Sequence, residues 1–290
     1  MSSQHLSSSG ILLSLTLLVL SLQSCGVNYA VPGGPADMSI FGARAATQAG
    51  LTDPGIHAEL NKQPLATFPA SIAVARVQAN GYSSWCGSGY GQGRYSVLPV
   101  REVETDEDSA RLAKLPMVTA VAPIGRLLLP QSLQSDYEMR RAAASLHADM
   151  LLLYTFDTTF RTEDFAAPLT VVTLGLFPSK TAHVNSTASA ILLDTRNGYV
   201  YGTVESSSKQ TQLANAWTSE QAVDDSRRRA EREAFEGLVG EFEKMWGRVV
   251  LTHSGNRPRQ HASFDLRPGH AQEIDARPAP AGVMYATPSP

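Results

Sequence analysis

The two cysteines are the first candidates for chemistry, because a thiolate can act as a nucleophile or as a redox group. Cys86 stands in the run Trp85-Cys86-Gly87, which begins like a thioredoxin-type site but lacks the second cysteine of a C-x-x-C pair. Thiol–disulfide exchange within one chain needs that second thiol. A lone nucleophilic cysteine would need a histidine base close in space. The sequence therefore predicts no redox site at Cys86.

The loop Gly81–Arg94 is the second candidate, because glycine-rich loops can cradle phosphate groups. Its central run, Gly87-Ser-Gly-Tyr-Gly-Gln-Gly93, fits the G-x-G-x-x-G pattern in no register, and the chain contains no G-x-x-x-x-G-K-[ST] motif. Two interpretations of this loop stay open. It is either a plain surface loop or the ligand-covering loop of an enzyme or small-molecule-binding protein.

The histidines and paired carboxylates show no catalytic pattern. No two histidines have the i, i+4 spacing of helical metal ligands. His147 ends a predicted helix just before a buried strand, where a structural role is expected. The chain has no G-x-S-x-G elbow, and Asp224-Asp225 is predicted to be a pair on a helix surface. We assign no catalytic residue, no cofactor and no metal from the sequence, which favours a protein that is not an enzyme.

An apolar, uncharged run, Ile11–Leu22, lies near the N-terminus and leads directly into Gln23-Ser24-Cys25-Gly26. A dozen residues rise about 18 Å as a helix, well short of the roughly 30 Å hydrocarbon core of a bilayer. That length is typical of the hydrophobic region of a signal peptide rather than of a resident transmembrane span. The sequence therefore predicts a signal peptide over residues 1–24.

The segment Leu22-Gln-Ser-Cys25 resembles the lipobox of bacterial lipoprotein precursors, which has an apolar residue three positions before the cysteine and a small residue just before it. The resemblance implies that Cys25 is lipidated and becomes the first residue of the mature chain. Two or more acyl chains anchor a protein stably, whereas one gives marginal binding. Gly26 is not the Asp that retains lipoproteins in the inner membrane, so the expected location is the outer membrane, facing the periplasm.

Prolines and glycines divide the rest of the chain. Residues 25–66 are interrupted by prolines and glycines and show no sustained apolar periodicity, which predicts a lipidated N-terminus followed by a flexible tether. Residues 253–290 are rich in proline and poor in apolar side chains, which predicts a disordered tail. A single folded domain is therefore expected over residues 67–252.

Within this domain, strand-like and helix-like stretches alternate. Helix starts are predicted at Thr105, at the capping box Ser135-Asp-Tyr-Glu138 and after Thr218. Asn197-Gly198 predicts a hairpin between the strands that flank it, with positive φ at both residues. Apolar or alternating runs predict strands at Ser71–Val77, Tyr95–Arg101, Met117–Leu129, Met150–Phe156, Leu169–Phe177, Ala188–Asp194 and Tyr199–Val204. The predicted fold class is α/β (mixed), a mixed β-sheet packed by a few helices.

The last predicted helix carries an apolar stripe that includes Phe235, Phe242 and Trp246, which predicts a face packed on the sheet. The basic triplet Arg227–Arg229 is predicted to be an ordinary solvated part of that helix. Glu205–Thr218 is predicted to be a short polar connection.

The order of these pieces resembles the periplasmic domain of the curli-secretion lipoproteins, the amino-terminal domain of TolB and the lipoprotein activators of penicillin-binding proteins. The resemblance rests on the strand at Ala70–Ala75, the unit Ala144–Phe156 and the strand pair Ala190–Gly202. It implies a soluble envelope domain. It does not extend to a pore, because only Leu169–Ile191 could form a membrane-crossing hairpin.

These observations predict a membrane-anchored, periplasm-facing lipoprotein that is a non-enzymatic binding or assembly module with a protein partner in the envelope. Nucleic-acid-binding proteins usually carry a basic face or stripe. The formal net charge of this chain is −3, so no nucleic-acid partner is expected. The alternative is a periplasmic enzyme or small-molecule binder that uses the loop Gly81–Arg94.

Overall fold

The structure is a computed structural model that describes residues 32–41, 53–84, 86–99, 101–164, 180–214 and 220–255. The predicted signal peptide, Cys25, the strand predicted at Leu169–Phe177 and the tail beyond residue 255 lie outside the described residues. The helices are α1 (Asp53–Leu60), α2 (Asp106–Ala113), α3 (Asp136–Ser145) and α4 (Glu220–His253). The strands are β1 (Ala70–Ala79), β2 (Gln92–Gly93), β3 (Tyr95–Leu98), β4 (Val118–Pro123), β5 (Ser132–Leu133), β6 (Met150–Asp164), β7 (Lys180–Asp194) and β8 (Val200–Ala214).

Six strands form one mixed sheet in the order β3-β1-β6-β7-β8, with β4 paired to the first half of β1. The strand β1 runs parallel to β4 and β6 and antiparallel to β3, and β6, β7 and β8 form an antiparallel meander. The strands β2 and β5 form a separate small parallel pair. The predicted α/β (mixed) fold class is confirmed.

Two apolar layers cover the two faces of the sheet. The helices α2 and α4 pack on one face, where Phe242 and Trp246 are 1% and 0% exposed, so the predicted apolar stripe is confirmed as core. The helix α3 packs on the other face through Met139, Ala142 and Ala143. Two of the three predicted helix starts are confirmed, because Thr105 and Ser135 each form a capping box at the start of a helix. The third predicted start, at Thr218, lies outside the described residues.

The meander is longer than the sequence predicted. The strands β6, β7 and β8 each have 15 residues, so the chain from Glu205 to Ala214 forms strand rather than the predicted connection. The apolar-run criterion missed this half of β8 because every residue from Glu205 to Thr211 is polar. Ser208 is nevertheless buried under α4, where its hydroxyl donates to Glu233 over 2.6 Å.

The turn between β7 and β8 also differs from its prediction. The strands are joined by five residues, Thr195–Tyr199, and only Gly198 has positive φ (72°). The amide N–H of Gly198 donates to the Asp194 carbonyl over 2.9 Å, and the Asn197 side chain accepts from the Tyr199 amide over 2.9 Å. The predicted hairpin is confirmed, because β7 and β8 pair antiparallel on either side of this turn, but the positive φ predicted at Asn197 is wrong.

Parts of the segment predicted to be a tether are packed on the domain. Ile40 and Phe41 are each 3% exposed within the apolar layer that also holds α3. Further along, the amides of Leu65 and Ala66 donate to the buried carboxylate of Asp194 over 2.7 and 2.6 Å. The prediction of a flexible tether over residues 25–66 therefore does not hold for these described parts. Their apolar side chains are buried against the body, and their amides donate hydrogen bonds to it.

Candidate functional site

A cluster of charged side chains is buried between the sheet and α4, and we call it the buried charged cluster. Its members are Arg76, Tyr82, Glu102, Glu104, Asp224, Arg227 and Glu231. Three parts of the chain supply its charged members. Arg76 lies on the face of β1 that points to α4, Arg227 and Glu231 are one turn apart on α4, and the two glutamates come from the link between β3 and α2.

Arg227 is the hub of the cluster and is 0% exposed. Its guanidinium donates to Asp224 over 3.0 Å, to Glu231 over 2.7 Å and to Glu102 over 3.1 Å. All three are charge-assisted hydrogen bonds; the one to Glu102 joins α4 to the link after β3, and the other two lie within α4. Although burial lowers the pKa of Arg227, the charge of Glu231 raises it well above its ordinary value, so Arg227 stays charged.

Arg76 is the second buried cation, with 2% of its surface exposed. Its guanidinium donates to Glu231 over 3.2 Å and lies 4.5 Å from the centre of the Phe156 ring, a cation–π contact. One of its terminal nitrogens is 3.9 Å from a carboxylate oxygen of Glu102 and 3.9 Å from one of Glu104. Although burial lowers the pKa of Arg76, the charges of Glu231 and Glu104 raise it above its ordinary value.

The Tyr82 hydroxyl accepts from both guanidinium groups, from Arg76 over 3.3 Å and from Arg227 over 3.4 Å. Burial raises the pKa of Tyr82 to about 12, so the hydroxyl is protonated at neutral pH. The charged side chains of the cluster are thus paired with one another, and the cluster joins β1, the following loop and α4 by electrostatic contacts. Its geometry fits a structural role.

The cluster corrects two predictions about the surface of α4. Arg227 was predicted to be solvated and Asp224 to be a surface residue, but they are 0% and 1% exposed. Extending the apolar stripe backwards from Phe235 in steps of four reaches Glu231 and then Arg227, which is the sequence signal that could have found them. The prediction failed because it treated charge as a sign of exposure.

An open groove of about 660 Å³ lies beside the cluster, and it shares Glu102 with it. Arg228, Arg229 and Arg232 line one side, together with carboxylates of the same helix. Arg232 pairs with Asp108 and with Glu236, and Arg228 pairs with Asp225. The groove therefore carries both signs of charge in paired form, which does not select an anionic or a cationic ligand.

The glycines of the loop Gly81–Arg94 are explained by contacts inside the domain. A Cβ atom on Gly89 would lie 2.3 Å from the Ser96 hydroxyl oxygen, and one on Gly91 would lie 2.3 Å from a methyl carbon of Leu133. A Cβ atom on Gly93 would lie 2.3 Å from the Leu133 carbonyl oxygen. These glycines allow backbone and side chains to approach closely, which is a packing role.

The backbone amides of the same loop donate to the protein itself. Gly89 donates to the Tyr82 carbonyl over 3.0 Å, Tyr90 to the Val97 carbonyl over 2.8 Å, and Gln92 to the Gln131 carbonyl over 2.7 Å. A phosphate-binding loop needs such amides to point at the ligand. The geometry of the loop therefore favours the surface-loop interpretation over the ligand-binding one.

The remaining residues singled out by the sequence do not meet in one place. Cys86 is an exposed free thiol in the loop after β1. His147 follows α3 with φ of 55°, and its carbonyl accepts from the Ser71 hydroxyl over 3.0 Å. Within the described ranges, no group of three or more histidine, cysteine, aspartate or glutamate side chains could hold a metal ion.

Among the helices in the described part of the chain, none is both long and apolar enough to cross a membrane. No family model and no curated protein matches the chain.

Several solved structures are similar over most of their own length. A Xanthomonas campestris protein is 13% identical, with a TM-score of 0.32 over 65% of this chain and 91% of its own. A homologue of a neuraminyllactose-binding hemagglutinin from Helicobacter pylori is 7% identical, with a TM-score of 0.33 over 66% and 96%. A lipoprotein from Neisseria meningitidis is 12% identical, with a TM-score of 0.26 over 61% and 99%. At these scores and identities, the likeness carries no functional argument.

Proposed function

We propose that this chain is a lipoprotein of the bacterial cell envelope, anchored to a membrane by lipid on Cys25. The observation that carries the proposal is the apolar run Ile11–Leu22 ending at Leu22-Gln-Ser-Cys25. A hydrophobic stretch of this length is typical of a cleaved signal, and the cysteine stands where a lipobox has the acylated residue. Lipid on Cys25, with two or more acyl chains, would give a stable membrane anchor.

Metabolic labelling with a clickable fatty acid tests the anchor. We expect label on the wild-type protein, no label on Cys25→Ala, and full label on the matched variant Cys86→Ser. The Cys25→Ala protein should also leave the membrane fraction. Equal labelling of Cys25→Ala and wild type would contradict the proposal.

We propose further that the body acts as a binding or assembly module rather than as an enzyme. The buried charged cluster is internally paired, and the amides of the Gly81–Arg94 loop already donate to backbone carbonyls. An exposed polar surface exists instead on the half of β7 and β8 that α3 does not cover. There Glu205, Ser207 and Lys209 point away from α4 and are exposed. Such a surface fits a polar protein partner in the envelope.

Site-specific photo-crosslinking in cells tests the module. A photoreactive residue at Ser207 should give a crosslinked species of higher mass, whereas the same residue at Lys244, on the exposed side of α4, should not. Crosslinks from both positions or from neither would contradict the assignment of this surface.

We propose that the anchored protein resides in the outer membrane and faces the periplasm, because Gly26 follows the cysteine where an aspartate would retain the protein in the inner membrane. Density-gradient separation of the two membranes of the source cell tests this location. The wild type should band with the outer membrane, and Gly26→Asp should move to the inner membrane. A wild type that bands with the inner membrane would contradict it.

A further inference from the structure

The described chain is bound to the sheet almost from its first described residue. The Gly34 carbonyl accepts from the Ala79 amide over 3.0 Å, and Pro35 forms a β-bridge with Gln78. The Ala36 amide then donates to the Thr155 hydroxyl over 3.0 Å. These contacts fix the place where the chain that comes from Cys25 joins the body.

We call residues 26–31, between Cys25 and the entry point, the leash. Because the entry point is fixed at Pro32, this leash is short. Seven residue steps separate Cys25 from Pro32, and a fully extended chain spans at most about 25 Å over that length. The tether predicted over residues 25–66 would have allowed about 140 Å. If Cys25 is anchored in a bilayer, Pro32 therefore lies within about 25 Å of the anchor.

The entry point lies beside one particular loop. Pro32 and Gly33 line a small cavity together with Tyr82, Arg227 and Glu231, and a Cβ atom on Gly33 would lie 3.2 Å from the Tyr82 Cα atom. Tyr82 is the second residue of the Gly81–Arg94 loop, so this loop begins next to the entry point.

The opposite end of α4 is distant from the entry point. Leu251 stands 24 residues beyond Arg227 on the same helix, a separation of about 36 Å. Leu251 is 85% exposed.

The loop beside the entry point has a composition that is compatible with contact to lipid headgroups. Residues 79–101 contain no aspartate or glutamate and two arginines. Among the described residues of the loop, the exposed positions before Arg94 are Gly81, Ser83, Cys86, Ser88 and Gln92, which are small or polar and uncharged. Arg94 itself pairs with the exposed Asp37 over 3.5 Å, so these charges offset each other. Such a surface can exchange hydrogen bonds with lipid headgroups without strong charge repulsion.

We propose that the Gly81–Arg94 loop is the membrane-facing surface of the body and that its partner is the phospholipid headgroup layer in which Cys25 is anchored. This inference rests on the proposed lipidation. It assigns a role to the glycine-rich loop without a bound small molecule. It also orients the body, with the C-terminal end of α4 pointing away from the bilayer.

Energy transfer from the protein to the bilayer tests the orientation. The lipidated full-length protein is reconstituted in phosphatidylethanolamine–phosphatidylglycerol vesicles that contain a headgroup-labelled acceptor lipid. The donor dye is attached to the native thiol of Cys86, or to Leu251→Cys in a Cys86→Ser background. Because Leu251 lies about 36 Å along α4 from Arg227, which lines the cavity at the entry point, whereas Cys86 lies in the loop beside that cavity, we expect at least about twofold higher transfer efficiency from Cys86.

A lengthened leash is the matched control. Twenty Gly/Ser residues inserted between Asn28 and Tyr29 let the body move away from the bilayer, so transfer from Cys86 should fall while transfer from position 251 changes little. Equal transfer from the two positions, or higher transfer from position 251, in lipidated protein overturns this inference and leaves the anchor intact. A wild type without lipid on Cys25, read from the mass of its N-terminal peptide, overturns the proposed function and this inference together.

Discussion

Replacing Arg227 by alanine should destabilise the fold more than replacing most other polar residues of α4. The side chain is completely buried and donates to three carboxylates, those of Glu102, Asp224 and Glu231, over 2.7 to 3.1 Å. Its removal leaves Arg76 as the one fully buried cation of the cluster opposite four carboxylates. Breaking a buried ion pair by removing one partner costs roughly 3–5 kcal/mol. The typical stability of a domain is about 5–15 kcal/mol, so much of it would be lost.

Urea unfolding of wild type, Arg227→Ala and the matched variant Arg229→Ala measures the effect. Arg229 is exposed and only two residues away on the same helix, so its replacement should change the free energy of unfolding by less than about 0.5 kcal/mol. The double variant Arg227→Ala/Glu231→Gln should be less destabilised than Arg227→Ala, because one uncompensated charge is removed. A cost below about 1 kcal/mol for Arg227→Ala would refute the assignment of a buried ionic hub.

Three further predictions concern the packing and electrostatics of the body. Phe242→Ala should cost roughly 3–5 kcal/mol of unfolding free energy, whereas Lys244→Ala should cost under about 0.5 kcal/mol. Equal denaturant midpoints for these two would contradict the packing of α4. A Cβ atom at Gly237 would lie 2.2 Å from the Ser206 hydroxyl oxygen, whereas Gly240 has open space, so Gly240→Ala should raise the melting temperature and Gly237→Ala should lower it. Although burial raises the pKa of Asp108, the hydrogen bonds from Arg232 and Thr105 and the charge of Arg232 together lower it below its ordinary value of 3.8. The contribution of Asp108 to the free energy of unfolding is present above pH 3.8 and is lost as the pH falls through the lower pKa of the folded state. The free energy of unfolding of Asp108→Asn should therefore fall less steeply than that of the wild type as the pH is lowered through the acidic range.

The helix starts and the apolar stripe of α4 could be predicted because their signals are local. A capping box needs only residues that are three positions apart, and Ser135 with Glu138 forms one in the structure. The stripe through Phe242 and Trp246 needs only helical periodicity. These features survive any tertiary arrangement that covers one side of the helix.

The buried charges could not be predicted in the same way, because their partners are distant in sequence. Arg227 binds Glu102 across 125 positions, and Arg76 binds Glu231 across 155. Sequence periodicity shows that Arg227 lies on the stripe, but only the fold shows the carboxylates that offset its burial. The same holds for Asp194, whose carboxylate binds the amides of Leu65 and Ala66.

The packed segment at residues 32–41 was missed for a different reason. Its prolines and glycines are typical of loops, and loops that pack on a sheet share this composition with loops that do not. Its anchoring residues are few, chiefly Ile40 and Phe41, and they show no helical or strand periodicity. Because this segment is packed on the body, the chain between the proposed lipid and the body is shorter than the sequence predicted.

Lipidation of Cys25 can be measured directly as the mass of the N-terminal peptide of the mature protein, purified from its own membranes and digested with a protease. We expect a peptide that begins at Cys25 and carries the added mass of a thioether-linked diacylglyceryl group and an amide-linked acyl chain. Alkaline hydrolysis should remove the two ester-linked chains and leave the amide-linked one. A mature chain that begins elsewhere, or that carries an unmodified Cys25, would contradict it.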